Sequence, residues 1–352
     1  MLSPKLTEVI KEIKPIDQLK KEEVSTYIDQ LTKPQGSLGR LEELAITLAQ
    51  ITSSSFPVVS PPGVIVFAAD HGIAAEGVSA FPQEVTAQMI YNFLQGGAAI
   101  NVFARQMGAY FSIVDVGVAQ DLEMEGSINK KVRYGTGNFL QEEAMTREEA
   151  FQALEAGIES AEQMVEQGAK CLVFGEMGIG NTTTSSAILA VLSEKEIDSI
   201  VGKGSGIIEE QLAKKRSIIA QALNNRQPNS ADPIDILSKV GGLEIAAMAG
   251  AMMGSAHRQI PILLDGFICT VAALLAVKLC PEVKGYMIAG HQSEEPGHAV
   301  ALDMLGLTPL LRLNLRLGEG SGAALAFPLL ESACRMVSEM ATFSSAGVSN
   351  KE

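Results

Sequence analysis

Five short runs of the chain are apolar or β-branched almost throughout, and each stops abruptly at glycine, aspartate or histidine. They are "VIVFAADHG" (64–72), "FSIVDVG" (111–117), "KCLVFGEMG" (170–178), "PILLDG" (261–266) and "KGYMIAGHQS" (284–293). Between them lie segments with helical spacing of apolar positions, such as 144–168, 207–223 and 244–257. Strands without polar alternation, separated by helices, predict a parallel sheet covered on both faces, hence an α/β fold. Ligands of such sheets bind beyond the carboxyl ends of the strands. The polar residues collect there: Asp70 with His71, Asp115, Glu176, Asp265, and His291 with Ser293.

The two ends read differently. Residues 1–60 are charged and helical in pattern and close on "SSSFPVVSPPG", a linker-like stretch. The last segment holds one long amphipathic helix and a polar tail. The expected division is a small helical subdomain from 1–60 and 318–352 beside a large α/β domain, 61–317, that carries the site.

Composition narrows the function. Of 352 residues, 47% are apolar and only 5% aromatic, and glycine and alanine are abundant, which suggests close helix–sheet packing. The net charge of −14 argues against a nucleic-acid surface, which needs lysine and arginine in excess. A pocket for one phosphate needs only a cation or two and backbone N–H groups. The longest uncharged apolar stretch, "GFICTVAALLAV", is too short to span a bilayer. The N-terminus "MLSPKLTEVIKEIK" is charged throughout, unlike a signal peptide. Cys171, Cys269, Cys280 and Cys334 form no C-x-x-C pair and read as reduced, mostly buried thiols of a cytoplasmic protein.

Three glycine-rich segments carry candidate chemistry. "GEMGIGNTTTS" (175–185) has the spacing of a phosphate-binding loop, but Asn181 stands where the lysine for a triphosphate would be. It suits one phosphate or a ribose, or is a plain strand-to-helix turn. "GKGSG" (202–206) brings Lys203, with Lys214 and Lys215 on the following helix, as phosphate partners or solvated charges. "GEGSGA" (318–323) fits a relaxed dinucleotide fingerprint, yet too little chain follows for a strand–helix–strand unit. Its acid, Glu319, beside Leu317 and an apolar helix start, reads as a general base whose pKa burial raises, or else as a solvated loop acid. The histidines lack metal-ligand spacing, and Asp70–His71 reads as a structural pair at a strand end. "KPQGSLGRLEELA" (33–45) reads as a turn before a helix, with Ser37 as cap and an Arg40–Glu43 pair.

Taken in order, "KPQGSLGRLEELA", "ADHG" with "EGVSAFPQEVT", "GEMGIGNTT", "LSKVGGLEIAAMAG", "PILLDGF" and "RLGEGSGAALA" resemble the nicotinate-nucleotide:dimethylbenzimidazole phosphoribosyltransferase family, from about residue 30 to 345. The resemblance implies a Rossmann-like sheet, a helical domain built from both chain ends, a homodimer and no cofactor. It implies transfer of phosphoribose from nicotinate mononucleotide to a benzimidazole, giving α-ribazole 5′-phosphate for the cobalamin lower ligand. Glu319 falls on the family's general base, and Glu176 near base and ribose. Gly204, Lys215 (with Lys214 adjacent as the alternative) and Ser293 fall on its phosphate pocket. Gly178, Asn181, Thr182, Asp265 and Leu317 are further expected substrate-binding residues. The chain departs at Phe81 and Met89, where some relatives carry polar residues. That leaves the acceptor open among dimethylbenzimidazole, other benzimidazoles, purines and phenols. Two other readings stand beside transfer: a non-catalytic nucleotide sensor on the same fold, and a dehydrogenase resting on "GEGSGA" alone.

Overall fold

The computed structural model describes residues 2–122, 125–204 and 206–349. The apolar runs form strands: β1 (Gly63–Ala69), β2 (Tyr110–Gly117), β4 (Leu172–Met177), β5 (Ile262–Leu264) and β6 (Met287–Ala289). A sixth, β3 (Ile128–Asn129), was not expected; its two residues pair with Val114 and Asp115 at the sheet edge and carry no apolar run of their own. All pairings are parallel, in the order β3-β2-β1-β4-β5-β6. Every residue of β1 is buried, as a central strand covered on both faces requires. The chain runs outward from β1 to β2 and β3, then returns to β4 on the other side of β1. The loops leaving β1 and β4 therefore diverge and open a crevice between them.

The segment expected as a helix at 144–168 is Arg147–Glu166, started by a reciprocal cap. Thr146 Oγ1 accepts from the Glu149 N–H at 3.1 Å, and the Glu149 carboxylate accepts from the Thr146 N–H at 2.7 Å. Behind the sheet this helix crosses Leu243–His257 backbone to backbone. A Cβ on Gly157 would stand 1.8 Å from the Ala247 carbonyl oxygen, and one on Gly250 1.9 Å from that of Leu154. The closest packing that the glycine and alanine content allows is thus between helices rather than between helix and sheet.

The chain ends meet. The helix Arg40–Thr52 packs on Ser321–Glu339, and Leu31 bridges Thr342 in antiparallel fashion. The first helix, Pro4–Glu12, lies elsewhere, on Arg147–Glu166, with Lys5 Nζ 2.5 Å from Glu159 Oε1. Ser37 does not cap the helix after the "KPQGS" turn, because that helix begins only after Gly39. The side chain at the turn is Glu42, which accepts from the Leu38 N–H at 2.9 Å and pairs with the buried Lys33 at 2.9 Å. No helix among the described residues is long and apolar enough to cross a membrane.

Candidate active site

An open cleft lies at the carboxyl rim of the sheet. Its walls are the loops after β4, β5 and β6, with Gly204, Ser79 and the segment Arg316–Glu319 that leads into the last long helix. Of the expected residues, Glu176, Gly178, Asn181, Thr182, Gly204, Asp265, Ser293, Leu317 and Glu319 come together here.

Glu319 sits in the turn that starts the last long helix, with a left-handed φ of 66°. Two features hold the turn against the sheet. Asp265, at the end of β5, accepts from the Gly320 N–H at 3.1 Å and from the Ala323 N–H at 2.9 Å, so it caps that helix. Gly175 of β4 has no side chain where a Cβ would stand 2.2 Å from the Glu319 carbonyl oxygen. The Glu319 side chain is buried, and its Oε2 has no hydrogen-bond partner among the described residues. Burial, and then the negative charge of Asp265, push its carboxyl up to about 7, against a smaller opposing effect of the Ile100 backbone N–H.

Glu176 lies beside it. One oxygen accepts from the Glu319 N–H at 3.4 Å, and the other accepts from the Asn181 side-chain amide. Burial, followed by the charges of Glu244 and Asp265, raises its carboxyl well above the carboxylate range. Asn181, in the position of the missing lysine, thus holds an acid rather than a phosphate. The adjoining helix Asn181–Ser193 starts on a left-handed Gly180 with no side-chain cap.

Three lysines lie near the other side of the cleft without lining it. Lys215 is 1% exposed, and its Nζ donates to the Gly202 carbonyl at 3.2 Å and to Thr182 Oγ1 at 3.3 Å. Burial pushes its ammonium down to about 8, while Glu295 acts the other way. Lys214 points out to solvent, so of the two lysines Lys215 faces Thr182 and Gly204. Lys203 pairs with Glu209 at 2.6 Å on the surface. The Gly204 N–H donates to the Glu295 carboxylate at 2.9 Å.

His298 orders the loop after β6. Its Nδ1 accepts from the Ser293 N–H at 2.8 Å, and its Nε2 lies 2.9 Å from Thr270 Oγ1, whose own proton goes to the Gly266 carbonyl. These partners fix the neutral Nε2–H tautomer, and burial takes the imidazole down to about 3. His71 is likewise structural: its ring reaches Glu244 at 2.7 Å and Thr184 at 2.9 Å, fully buried.

Three expected residues are not on the cleft wall: Lys215, which lies buried behind it, and Phe81 and Met89. Phe81 is 53% exposed, and Met89 is half-buried against the core. Glu295 and Arg316 line the cleft and were missed. The acid pair in "GHQSEEPG" and the arginine before "LGEGSG" were the only signals for them. The dinucleotide reading of "GEGSGA" fails because no strand leads into it and its N–H groups face carboxylates.

A glycine-looped, acid-walled cleft at the switch point of a parallel sheet, with cations gathered at one loop, defines an α/β enzyme acting on a nucleotide. The family model described as Phosphoribosyltransferase matches residues 13–348, and the chain belongs to that family. It is 54% identical over 345 residues to the nicotinate-nucleotide–dimethylbenzimidazole phosphoribosyltransferase of Halalkalibacterium halodurans, covering 98% of this chain and 97% of that one. It is 51% identical over 348 residues to the protein of the same name from Chloroflexus aggregans, covering 99% of each. Its fold matches the crystal structure of CobT from Thermus thermophilus with a TM-score of 0.91 and 47% identity, covering 95% of this chain and 100% of that one.

Proposed function

We propose that the chain transfers phosphoribose from nicotinate mononucleotide to a benzimidazole, releasing nicotinate and forming α-ribazole 5′-phosphate for the cobalamin lower ligand. The observation that carries this reading is Glu319: a buried carboxyl with one unpartnered oxygen, held on a rigid turn at the cleft, half-ionised near neutrality. The donor's C1 bears a positively charged pyridinium nitrogen. That nitrogen leaves with the bonding pair and becomes neutral, so its departure needs no proton. One benzimidazole nitrogen attacks C1 from the opposite face, inverting β to α, while the other gives its proton to Glu319. Burial and its acidic neighbours favour the neutral form of Glu176; a cationic donor beside it favours the ionised form, which would stabilise positive charge on the ribose.

In the same reading Lys215, Thr182, Gly204 and Ser293 receive the 5′-phosphate, with Gly178, Asn181, Asp265 and Leu317 around ribose and base. Phe81 and Met89 would bear on the acceptor only from outside the present cleft wall. The chain ends, apart from the first helix, form a small helical unit, and two copies assemble into a cytoplasmic homodimer without nucleic acid or membrane.

The test is a mixture of nicotinate mononucleotide and dimethylbenzimidazole assayed for released nicotinate and for the nucleotide product by mass spectrometry. Binding without release would overturn transfer in favour of a sensor. The pH profile follows from the sign of the Glu319 shift. A base must be ionised, so kcat/KM for the acceptor should rise tenfold per pH unit below about 7 and level off above it. A profile flat from pH 5.5 to 8 would exclude Glu319 as the titrating base.

A further inference from the structure

The cleft has an unbalanced wall. Four carboxylates line it, those of Glu176, Asp265, Glu295 and Glu319, while Arg316 is the one lysine or arginine among the lining residues. Lys215 stands behind the wall, its ammonium already turned to the Gly202 carbonyl and Thr182. Nicotinate mononucleotide carries a phosphate, a carboxylate and one compensating pyridinium, so it arrives with net negative charge. Whichever of these acids are ionised repel such a ligand unless cations meet its anionic groups directly.

Arg316 is placed for that purpose. It is exposed and makes no hydrogen bond or ion pair among the described residues. Its guanidinium lies over the loop that follows Gly202: Nη1 is 3.8 Å from where a Cβ on Gly206 would stand. Lys215 approaches the same loop from below, with Nζ 3.5 Å from the Cβ position of Gly204. Two cations from different parts of the chain thus converge on one glycine-rich loop. The Gly204 N–H is meanwhile occupied by Glu295. A guanidinium supplies paired N–H groups in the geometry a phosphate accepts.

We propose that Arg316 is a phosphate-binding residue that acts with Lys215 to select nucleotides carrying a 5′-phosphate. This deepens the transfer reading and rests on it. The experiment compares wild type, Arg316→Ala and Arg316→Lys on three donors. These are nicotinate mononucleotide, nicotinate riboside, which lacks the phosphate, and nicotinamide mononucleotide, which lacks the carboxylate. Both steady-state kinetics and direct binding titrations are read. Arg316→Ala should raise KM and Kd for nicotinate mononucleotide roughly ten- to hundredfold. The riboside should be handled as by wild type, and lysine should recover part of the loss. An unchanged KM and Kd for nicotinate mononucleotide overturns the proposal. So does a variant that loses its preference for the carboxylate and keeps that for the phosphate. A wild type that binds nicotinate mononucleotide without releasing nicotinate sinks transfer alone, and the titrations still decide the role of Arg316.

Discussion

Glu319→Gln should lower kcat by roughly a hundred- to ten-thousandfold while nicotinate mononucleotide still binds. The amide matches the carboxyl in size, and the turn is held by Asp265 through the backbone of Gly320 and Ala323, so the substitution leaves the geometry in place. What it removes, on the proposed mechanism, is the proton acceptor. The benzimidazole nitrogen that attacks C1 is a poor nucleophile until its ring loses the opposite proton, and glutamine offers that proton no basic site. Single-turnover release of nicotinate, with donor affinity measured separately, separates loss of chemistry from loss of binding. Near-normal turnover would remove Glu319 from the base role, and the mechanism would then need another acceptor in the cleft.

Gly157→Ala should destabilise the fold by roughly 3 kcal/mol, read as a lower urea midpoint. The sign makes the experiment decisive. In an exposed helix this change stabilises, by about 1 kcal/mol of helix propensity. Here the added methyl would meet the Ala247 carbonyl oxygen at 1.8 Å, which is backbone and has no rotamer to yield. The helices Arg147–Glu166 and Leu243–His257 would have to part, losing contacts along their whole crossing. Gly250→Ala, on the facing helix, should act alike, and the double variant should cost less than the sum, since either methyl alone already separates the pair. A stabilised Gly157→Ala would show that the crossing is looser than described.

The strands were legible because both faces of a central parallel strand are buried, so β1 and β4 read as unbroken apolar runs with polar residues at their ends. The strand β3 was not, since two residues at an edge leave no pattern. Glu319 stood out as an acid among small residues, and the resemblance supplied its role. Glu295 and Arg316 stayed hidden for a physical reason: a charge beside a turn looks the same in sequence whether it faces solvent or a cleft. Phe81 and Met89 came from the resemblance and lie off the wall, because the loop 79–84 contributes Ser79 to the cleft instead. The Lys214 and Lys215 alternative could be resolved only by burial, which depends on where the helix Glu209–Arg226 docks.

The φ of 66° at position 319 suits glycine or asparagine better than glutamate. The carboxyl is also kept from water there. On the proposed role of Glu319, durability and turnover therefore pull in opposite directions at this one place. Under selection for heat resistance alone, a lineage would drift toward a small neutral residue and become a sturdier but inert binder of the nucleotide.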